Sequence, residues 1–145
     1  MTFEIRAAEP SDLGAIRRLY QTLNRPKRQI RTSEYLVAAN ISGVIGCAAV
    51  QPFRGGGYLY GLAVDRVWQR QGVGSGLTRA RLDRVRDWGA EVAIVMAMFW
   101  NVRFFLRLGF GSIRRDDLPA AAKRLHDFRN PLYKHSAVLH HILEP

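Results

Sequence analysis

The 145-residue chain lacks the features that would place a protein in a membrane or in an oxidising compartment. No apolar run approaches the roughly 20 residues that cross a bilayer, and the N-terminal residues MTFEIRAAEP carry charges where a secretion signal is apolar. The single cysteine, Cys47, lies in the apolar run VIGCAAV, which predicts a buried thiol and no internal disulfide. We therefore expect a cytoplasmic protein without a membrane partner.

Acidic residues are also scarce. Lys and Arg number 22 against 12 Asp and Glu, which gives a formal net charge of +10. Such a charge favours an anionic partner of any class. The basic residues are spread along the chain, without the aromatic-interleaved patch of a known nucleic-acid module. A nucleic-acid partner is therefore disfavoured but stays open.

No repeat, low-complexity tract or linker divides the chain, and its length fits one domain, which we expect to span residues 1–145. Apolar periodicity and turn residues predict strands at 2–6, 34–39, 44–53, 58–64, 91–98, 109–114 and 136–143, and helices at 10–23, 75–88, 99–108 and 117–128. In the last helix, Leu118, Ala121, Leu125 and Phe128 are predicted to line one face. The turn NISG predicts an antiparallel hairpin between the second and third strands.

Arg81 interrupts the apolar stripe of the predicted helix at 75–88. The commoner arrangement for such an arginine lays its stem over the core and brings the guanidinium to solvent. The alternative is that it points toward an anion or a carboxylate at the sheet.

One loop, VDRVWQRQGVGSGL at residues 64–77, links a predicted strand to the helix at 75–88. Gly72, Gly74 and Gly76 permit positive φ and a close approach of the backbone to a ligand. A helix N-terminus has unpaired N–H groups and the positive end of a dipole, so it binds anions such as phosphate. The glycines alone are equally consistent with a tight turn.

Three motifs in order resemble the GNAT family of acyl-CoA dependent N-acetyltransferases. GLAVDRVWQRQGVGSGL is similar to the family's pyrophosphate-binding motif, Q/RxxGxG/A, with Gln69, Gly72 and Gly74 at the fixed places. IRAAEPSDLGAI is similar to the opening strand and first helix, and FFLRLGF to the FYxxLGF element. The tail DDLPAAAKRLHDFRNPLYKHSAVLHHIL is more loosely similar to amino-acid N-acetyltransferase domains of the N-acetylglutamate synthase type and to arsenic-resistance arylamine acetyltransferases.

The resemblance implies a single α/β (α+β) domain, with a mixed, mostly antiparallel sheet and helices on both faces. It also implies acetyl-CoA as cosubstrate, with its pyrophosphate held by the backbone of the glycine loop. The strand at 58–64 would splay from its neighbour around Ile94, so that a backbone N–H polarises the thioester carbonyl. The residues that the resemblance assigns to the cofactor are Leu62, Ala63, Val64, Gln69, Arg70, Gln71, Gly72, Val73, Gly74, Ser75 and Phe105.

The chain departs from the family's pattern at its usual catalytic positions. Tyr58 stands where some members have a glutamate, Phe105 stands where the tyrosine acid is found, and Met98 replaces a common asparagine. Tyr58 and Tyr60 alternate onto one strand face, where they would order a water that relays the proton. A phenol with an ordinary pKa of ~10 is a weak base at neutral pH, and ordinary packing of the two rings is an equal alternative.

Histidines and basic residues supply the remaining candidates. His126 and His135 are candidate proton-transfer groups, because the late segments border the substrate cleft in the family, although surface or packing roles are commoner. No pair of histidines has a spacing that favours a metal, and we expect none. Arg28 and Arg31 lie in a basic loop that covers the acceptor in the family. They would bind an anionic acceptor, the 3′-phosphate of the cofactor, or neither.

These observations predict transfer of acetyl from acetyl-CoA to a primary amine of a small acceptor, an amino acid or an arylamine. The basic loop favours an acceptor that carries a negative charge. A GNAT-like acetyl-CoA binding regulator without turnover is the first alternative, because both usual catalytic groups are absent. Acetylation of an aminoacyl-tRNA or a ribosomal protein is the second, favoured by the net charge. Homodimers are common in the family, so the resemblance implies a homodimer as an expectation.

Overall fold

A computed structural model describes residues 2–144. Within that part of the chain, seven strands form one sheet in the order β1-β2-β3-β4-β5-β7-β6. The strands are β1 Glu4–Ala7, β2 Tyr35–Asn40, β3 Gly43–Phe53, β4 Gly56–Val64, β5 Val92–Ala97, β6 Gly111–Ser112 and β7 Ala137–Ile142. The helices are α1 Leu13–Thr22, α2 Val73–Asp87, α3 Val102–Arg107, α4 Ala120–Lys123 and α5 His126–Arg129. None of the helices described is long and apolar enough to cross a bilayer.

The sheet is mixed, as the resemblance implies. β4 and β5 are parallel, whereas β1 with β2, β2 with β3, β5 with β7 and β6 with β7 are antiparallel. The hairpin predicted from NISG is confirmed, and the Asn40 side chain accepts from the Ser42 N–H at 2.8 Å inside its turn. The α/β fold class with a mostly antiparallel sheet is therefore confirmed.

The chain groups into two compact units. The first comprises the chain up to Val50 together with Gly61–Arg81, and the second comprises Gln51–Tyr60 together with the chain from Leu82 onward. The expectation of one domain over residues 1–145 stays a prediction.

The first unit buries an aliphatic cluster. Its buried members are Leu36, Ala38, Ile45, Ala48, Val73 and Leu77. α1 contributes Ile16, Leu19 and Tyr20, which recur at helical spacing and are buried. The Arg6 guanidinium binds both carboxylate oxygens of Asp12 at the start of this helix, at 2.7 and 3.1 Å.

The second unit is organised around β5, in which Ala93, Ile94, Val95 and Ala97 are buried. This burial agrees with the apolar run EVAIVMAM, which is typical of a strand covered on both faces. Tyr58, Ile94, Leu118, Ala122 and Val138 form its buried cluster. The late segment of the chain thus packs on the strands that carry the candidate catalytic residues.

The single helix predicted at 117–128 is wrong. The chain forms 3-10 turns at Arg115–Asp117 and Pro131–Tyr133, with only the four-residue helices α4 and α5 between them. Pro119 disfavours a helical conformation in the residue before it, and Leu118 is extended with ψ 148°. Leu125 is also extended, which separates α4 from α5, and Ala122 is buried in place of Ala121.

The expectation that Arg81 reaches solvent is also wrong. Its side chain is fully buried, and its guanidinium donates to the carbonyl oxygens of Leu77 at 3.3 Å and Ala49 at 3.2 Å and to the Thr78 hydroxyl at 3.0 Å. Burial lowers the pKa of Arg81 to about 10. The guanidinium thus points toward backbone carbonyls of the helix and of β3.

Candidate functional site

The parallel pairing of β4 with β5 stops partway along β4. It covers four residues of each strand and ends at Leu59 and Val95. Tyr60 and Met96, the next residues of the same unit, lie outside the pairing described. A splay was expected around Ile94, and the pairing ends one residue beyond it.

Gly61 forms an irregularity in β4 that the sequence predictions missed. Its φ is +69°, a left-handed conformation that L side chains rarely adopt. The Tyr20 hydroxyl donates to the Gly61 carbonyl at 2.6 Å and lies 2.9 Å from the Tyr35 hydroxyl. The Cys47 thiol lies 3.9 Å from the same carbonyl. A glycine inside a strand pattern is itself a signal of a bulge or a close approach of backbone. The glycine in YLYGLAV therefore allowed this irregularity to be predicted.

The loop after β4 is fixed by its own side chains. Asp65 accepts from the Val67 N–H at 3.1 Å, and the Gln69 side-chain amide donates to the Val64 carbonyl at 3.0 Å. Arg70 and Gly72 both have positive φ, at 65° and 88°. Gln69 of the predicted motif thus holds the loop to the end of the strand.

α2 begins at Val73, two residues earlier than predicted. The first i→i−4 hydrogen bond of the helix runs from the Gly76 N–H to the Gly72 carbonyl at 2.9 Å. The N–H groups of Val73, Gly74 and Ser75 come before this bond and have no partner of that kind within the helix. This is the arrangement that binds anions at a helix N-terminus.

Gly76, the third glycine of the motif, has a packing role. A Cβ atom there would lie 2.7 Å from the Ile5 Cδ1 atom of β1. Of the three glycines, only Gly72 and Gly74 therefore remain candidates for a close approach of the loop backbone to a ligand.

Tyr58 and Tyr60 share one face of β4, as predicted. Their rings are stacked, with centroids 5.7 Å apart and planes 13° apart, and Phe128 packs edge-on against Tyr58 at 5.3 Å. The Tyr58 hydroxyl donates to the Asp127 carboxylate at 2.8 Å. Tyr58 is 4% exposed and Asp127 is 9% exposed, so this bond is buried. A carboxylate thus stands beside the strand position where the family's glutamate would lie.

Asp127 was missed by the sequence predictions, which favoured its neighbour. The His126 side chain is 88% exposed, and its Nδ1 lies 3.5 Å from the Asp127 carboxylate. His126 is therefore brought to the same carboxylate as Tyr58, from its solvent side. His135 is exposed on the segment before β7. The signal for Asp127 was weak, because nothing in HDFR distinguishes it from a solvated acidic residue.

The remaining predicted residues are placed as follows. Phe105 is 5% exposed and packs against Phe104 and Phe110, so its predicted contact with a cofactor stays a prediction. Arg31 is exposed and Arg28 is half-buried, both in an irregular segment between α1 and β2. Among residues 2–144, no three His, Cys, Asp or Glu side chains are grouped as metal ligands.

Comparison with known proteins gives a match to the acetyltransferase (GNAT) family over residues 3–110. No curated protein matched the sequence. The fold is similar to N-acetylglutamate synthase from Neisseria gonorrhoeae in complex with coenzyme A and N-acetyl-glutamate, with a TM-score of 0.85 and 23% identity over all of this chain and 36% of that one. It is also similar to Rv2747 from Mycobacterium tuberculosis in complex with CoA, with a TM-score of 0.83 and 22% identity over 97% of this chain and 99% of that one.

A third similar structure is the ribosomal-protein-S18-alanine N-acetyltransferase from Escherichia coli, with a TM-score of 0.69 and 18% identity over 99% of this chain and 96% of that one. This chain spans only about a third of the length of the N-acetylglutamate synthase chain. The family match covers most of the sequence, including the first strand, the glycine loop and the FFLRLGF element. The chain belongs to the GNAT family of acetyltransferases, whose cosubstrate is acetyl-CoA.

Proposed function

We propose that this chain, acting as one domain over residues 1–145, transfers the acetyl group of acetyl-CoA to the primary amine of a small anionic acceptor. The observation that carries the proposal is the glycine loop. Its left-handed Arg70 and Gly72 lead into α2, whose N–H groups at Val73, Gly74 and Ser75 precede the helical ladder and would bind the pyrophosphate. The remaining cofactor contacts are assigned to Leu62, Ala63, Val64, Gln69 and Gln71, with Phe105 expected on the FFLRLGF element.

The reaction is a direct attack of the amine on the thioester. The amine nitrogen bonds to the carbonyl carbon, and the oxyanion that forms accepts from a backbone N–H of β4 near Leu62–Val64. The carbon–sulfur bond then breaks. Of the three protons on an ammonium acceptor, one stays on the amide, one goes to the thiolate and one is released to solvent.

Tyr58 and Asp127 are proposed to move the proton that must leave the acceptor before attack. A phenol alone is a weak base near neutral pH, but the Tyr58 hydroxyl donates to the Asp127 carboxylate at 2.8 Å. In this arrangement Tyr58 accepts a proton from the amine, through a water ordered beside Tyr60, as its own proton passes to Asp127. His126, which lies 3.5 Å from the other Asp127 oxygen, then returns the proton to solvent.

An amino acid is the acceptor class that we favour. The similar N-acetylglutamate synthase was crystallised with N-acetyl-glutamate, which is an acetylated amino acid. Arg31 is exposed in the basic segment before β2 and, with Arg28, is assigned to the acceptor's carboxylate. An arylamine fits the proposal less well, because it need not carry an anion.

The test measures acetyl-CoA binding by calorimetry and then thiol release with a panel of amino acids, arylamines and aminoacyl-tRNA. We expect binding, and thiol release with an acidic or neutral amino acid. Absence of binding would overturn the proposal. Tight binding without thiol release across the whole panel would instead assign the chain as an acetyl-CoA binding regulator.

A protein or aminoacyl-tRNA acceptor is the second candidate. The net charge of +10 favours a polyanionic partner, and one similar structure acetylates the alanine of a ribosomal protein. In the same panel, thiol release with aminoacyl-tRNA or with an N-terminal alanine peptide, but not with free amino acids, would select this candidate.

A further inference from the structure

Two buried tyrosines in the first unit converge on one carbonyl of β4. Tyr20 comes from α1 and Tyr35 from the start of β2, and both are more than nine-tenths buried. The Tyr20 hydroxyl donates its only proton to the Gly61 carbonyl at 2.6 Å, so across the 2.9 Å contact the Tyr35 hydroxyl must be the donor. The two hydroxyls therefore form a directed chain that ends on the backbone of β4.

The chain ends where β4 is irregular. Gly61 has a φ of +69°, and a Cβ atom there would lie 2.5 Å from the Tyr20 hydroxyl oxygen. A residue with positive φ inside a strand turns its peptide groups away from the regular alternation of the ladder. Its carbonyl therefore needs a partner outside the sheet, and Tyr20 supplies it.

We propose that Tyr20 is a positioning residue for acetyl transfer: its bond to Gly61 fixes the bulge of β4 and thereby aims one backbone N–H within Leu62–Val64 at the thioester carbonyl. The inference rests on the proposed function, because it needs acetyl-CoA bound along this part of β4. Tyr20 itself touches no reacting atom.

The physical requirement is a fixed peptide orientation. An N–H group stabilises an oxyanion only when the donor points at the place where the charge develops, and removal of one such donor lowers kcat by about 100- to 1000-fold. A peptide plane free to rotate at a glycine would lose part of that alignment. Burial raises the pKa of Tyr20 above its usual value and that of Tyr35 to about 12, so both hydroxyls keep their protons.

The test compares Tyr20→Phe with Tyr35→Phe. Each variant removes one buried hydroxyl, keeps the ring and breaks the bond that the two hydroxyls share. Only Tyr20→Phe breaks the bond to Gly61. We expect kcat to fall about 10- to 100-fold in Tyr20→Phe and less than about threefold in Tyr35→Phe, with the KM of the acceptor unchanged in both.

A spectroscopic measurement separates this inference from the proposed function. The infrared carbonyl band of bound acetyl-CoA, labelled with ¹³C at the acetyl carbonyl, should lie below its position in water for the native protein and for Tyr35→Phe. It should return toward the position in water in Tyr20→Phe, and also in Gly61→Ala, which displaces the Tyr20 hydroxyl from the other side. Unbound acetyl-CoA, or an unshifted band in the native protein, would contradict the function proposed above. A shifted native band that Tyr20→Phe and Gly61→Ala leave in place would overturn only the role of Tyr20.

Discussion

At the scale of single residues, Tyr58 is the clearest test of the proton path. Tyr58→Phe removes the hydroxyl that donates to Asp127 at 2.8 Å and keeps the ring that packs on Tyr60 and Phe128. We expect kcat to fall about 100-fold, because general base catalysis contributes on that order, while the Kd of acetyl-CoA stays unchanged. The free energy of unfolding should fall by about 1–2 kcal/mol, since a buried hydrogen bond is lost.

The matched control for Tyr58→Phe is Tyr60→Phe, on the same face of the same strand. It leaves the bond from Tyr58 to Asp127 in place but removes a hydroxyl beside the relay water, so we expect a smaller fall in kcat than in Tyr58→Phe. Turnover and acetyl-CoA titrations on both variants check the prediction. A larger fall in kcat in Tyr60→Phe than in Tyr58→Phe would assign the proton-transfer role to Tyr60.

The burial of the Cys47 thiol leads us to predict that the free energy of unfolding depends on pH. It is fully buried, and burial raises the pKa of its thiol from 9.0 to about 12. Between those values the unfolded chain loses a proton that the folded chain keeps, so the free energy of unfolding falls as pH rises. We expect Cys47 to account for about 1–2 kcal/mol of the fall between about pH 8 and about pH 10.5.

Urea unfolding across that pH range checks this contribution. Cys47→Ala is the control, because it removes the titrating group and keeps a small apolar side chain. Its stability should be lower near neutral pH, since it leaves a small cavity, but its slope against pH should be shallower. Equal slopes for the two proteins would show that other groups, such as Tyr35, carry the whole dependence.

At the scale of elements, the N-terminus of α2 is where the proposed cofactor site is most open to test. Gly74 is the second residue of that helix, and its N–H group precedes the helical ladder. A leucine there would occupy the space that a pyrophosphate needs. We expect Gly74→Leu to weaken acetyl-CoA binding by at least about 100-fold, while the free energy of unfolding changes by less than about 1 kcal/mol.

Gly14→Leu provides a control in the same helical position. Gly14 is the second residue of α1, and the nearest atom to an added Cβ is the Arg18 Nη1 at 4.0 Å. The substitution should change stability by a similar amount and leave acetyl-CoA binding intact. Calorimetric titrations of acetyl-CoA into the two variants check the prediction. An unchanged Kd for acetyl-CoA in Gly74→Leu would show that the loop does not bind the pyrophosphate.

Elements specified by local signals could be predicted from the sequence, and those that depend on distant contacts could not. The hairpin of β2 and β3, the apolar face of α1 and the glycine loop each carry their information within a few residues. The bond from Tyr58 to Asp127 joins residues 69 positions apart, and the bond from Tyr20 to Gly61 spans 41. A single sequence holds no signal that pairs such residues, although Gly61 alone indicated an irregular strand.

The late helix shows a second limit. The residues after Pro119 have a helical apolar pattern, yet the segment folds into short turns that place Leu118 and Ala122 in the core of the second unit. Arg115 donates to the Ser136 carbonyl at 3.0 Å, and Lys123 donates to the Asp116 carbonyl at 3.0 Å, so side-chain hydrogen bonds to the backbone hold the short turns. Tertiary packing thus overrides periodicity here.

At the scale of the whole molecule, the net charge of +10 should act on the rate at which the anionic cosubstrate arrives. Long-range attraction speeds the association of opposite charges, and salt screens it, since the Debye length falls from about 30 Å at 0.01 M to about 8 Å at 0.15 M. We expect the association rate constant for acetyl-CoA, measured by stopped flow, to fall about 10-fold between about 10 and 300 mM NaCl. Acetylpantetheine, which has the thioester but no phosphate, is the control and should associate at a rate nearly independent of salt. If salt lowers both association rate constants equally, salt acts on the protein itself and not on the attraction of phosphates. If salt changes neither rate constant, the excess of basic residues serves a partner other than acetyl-CoA, and the polyanionic acceptor gains support.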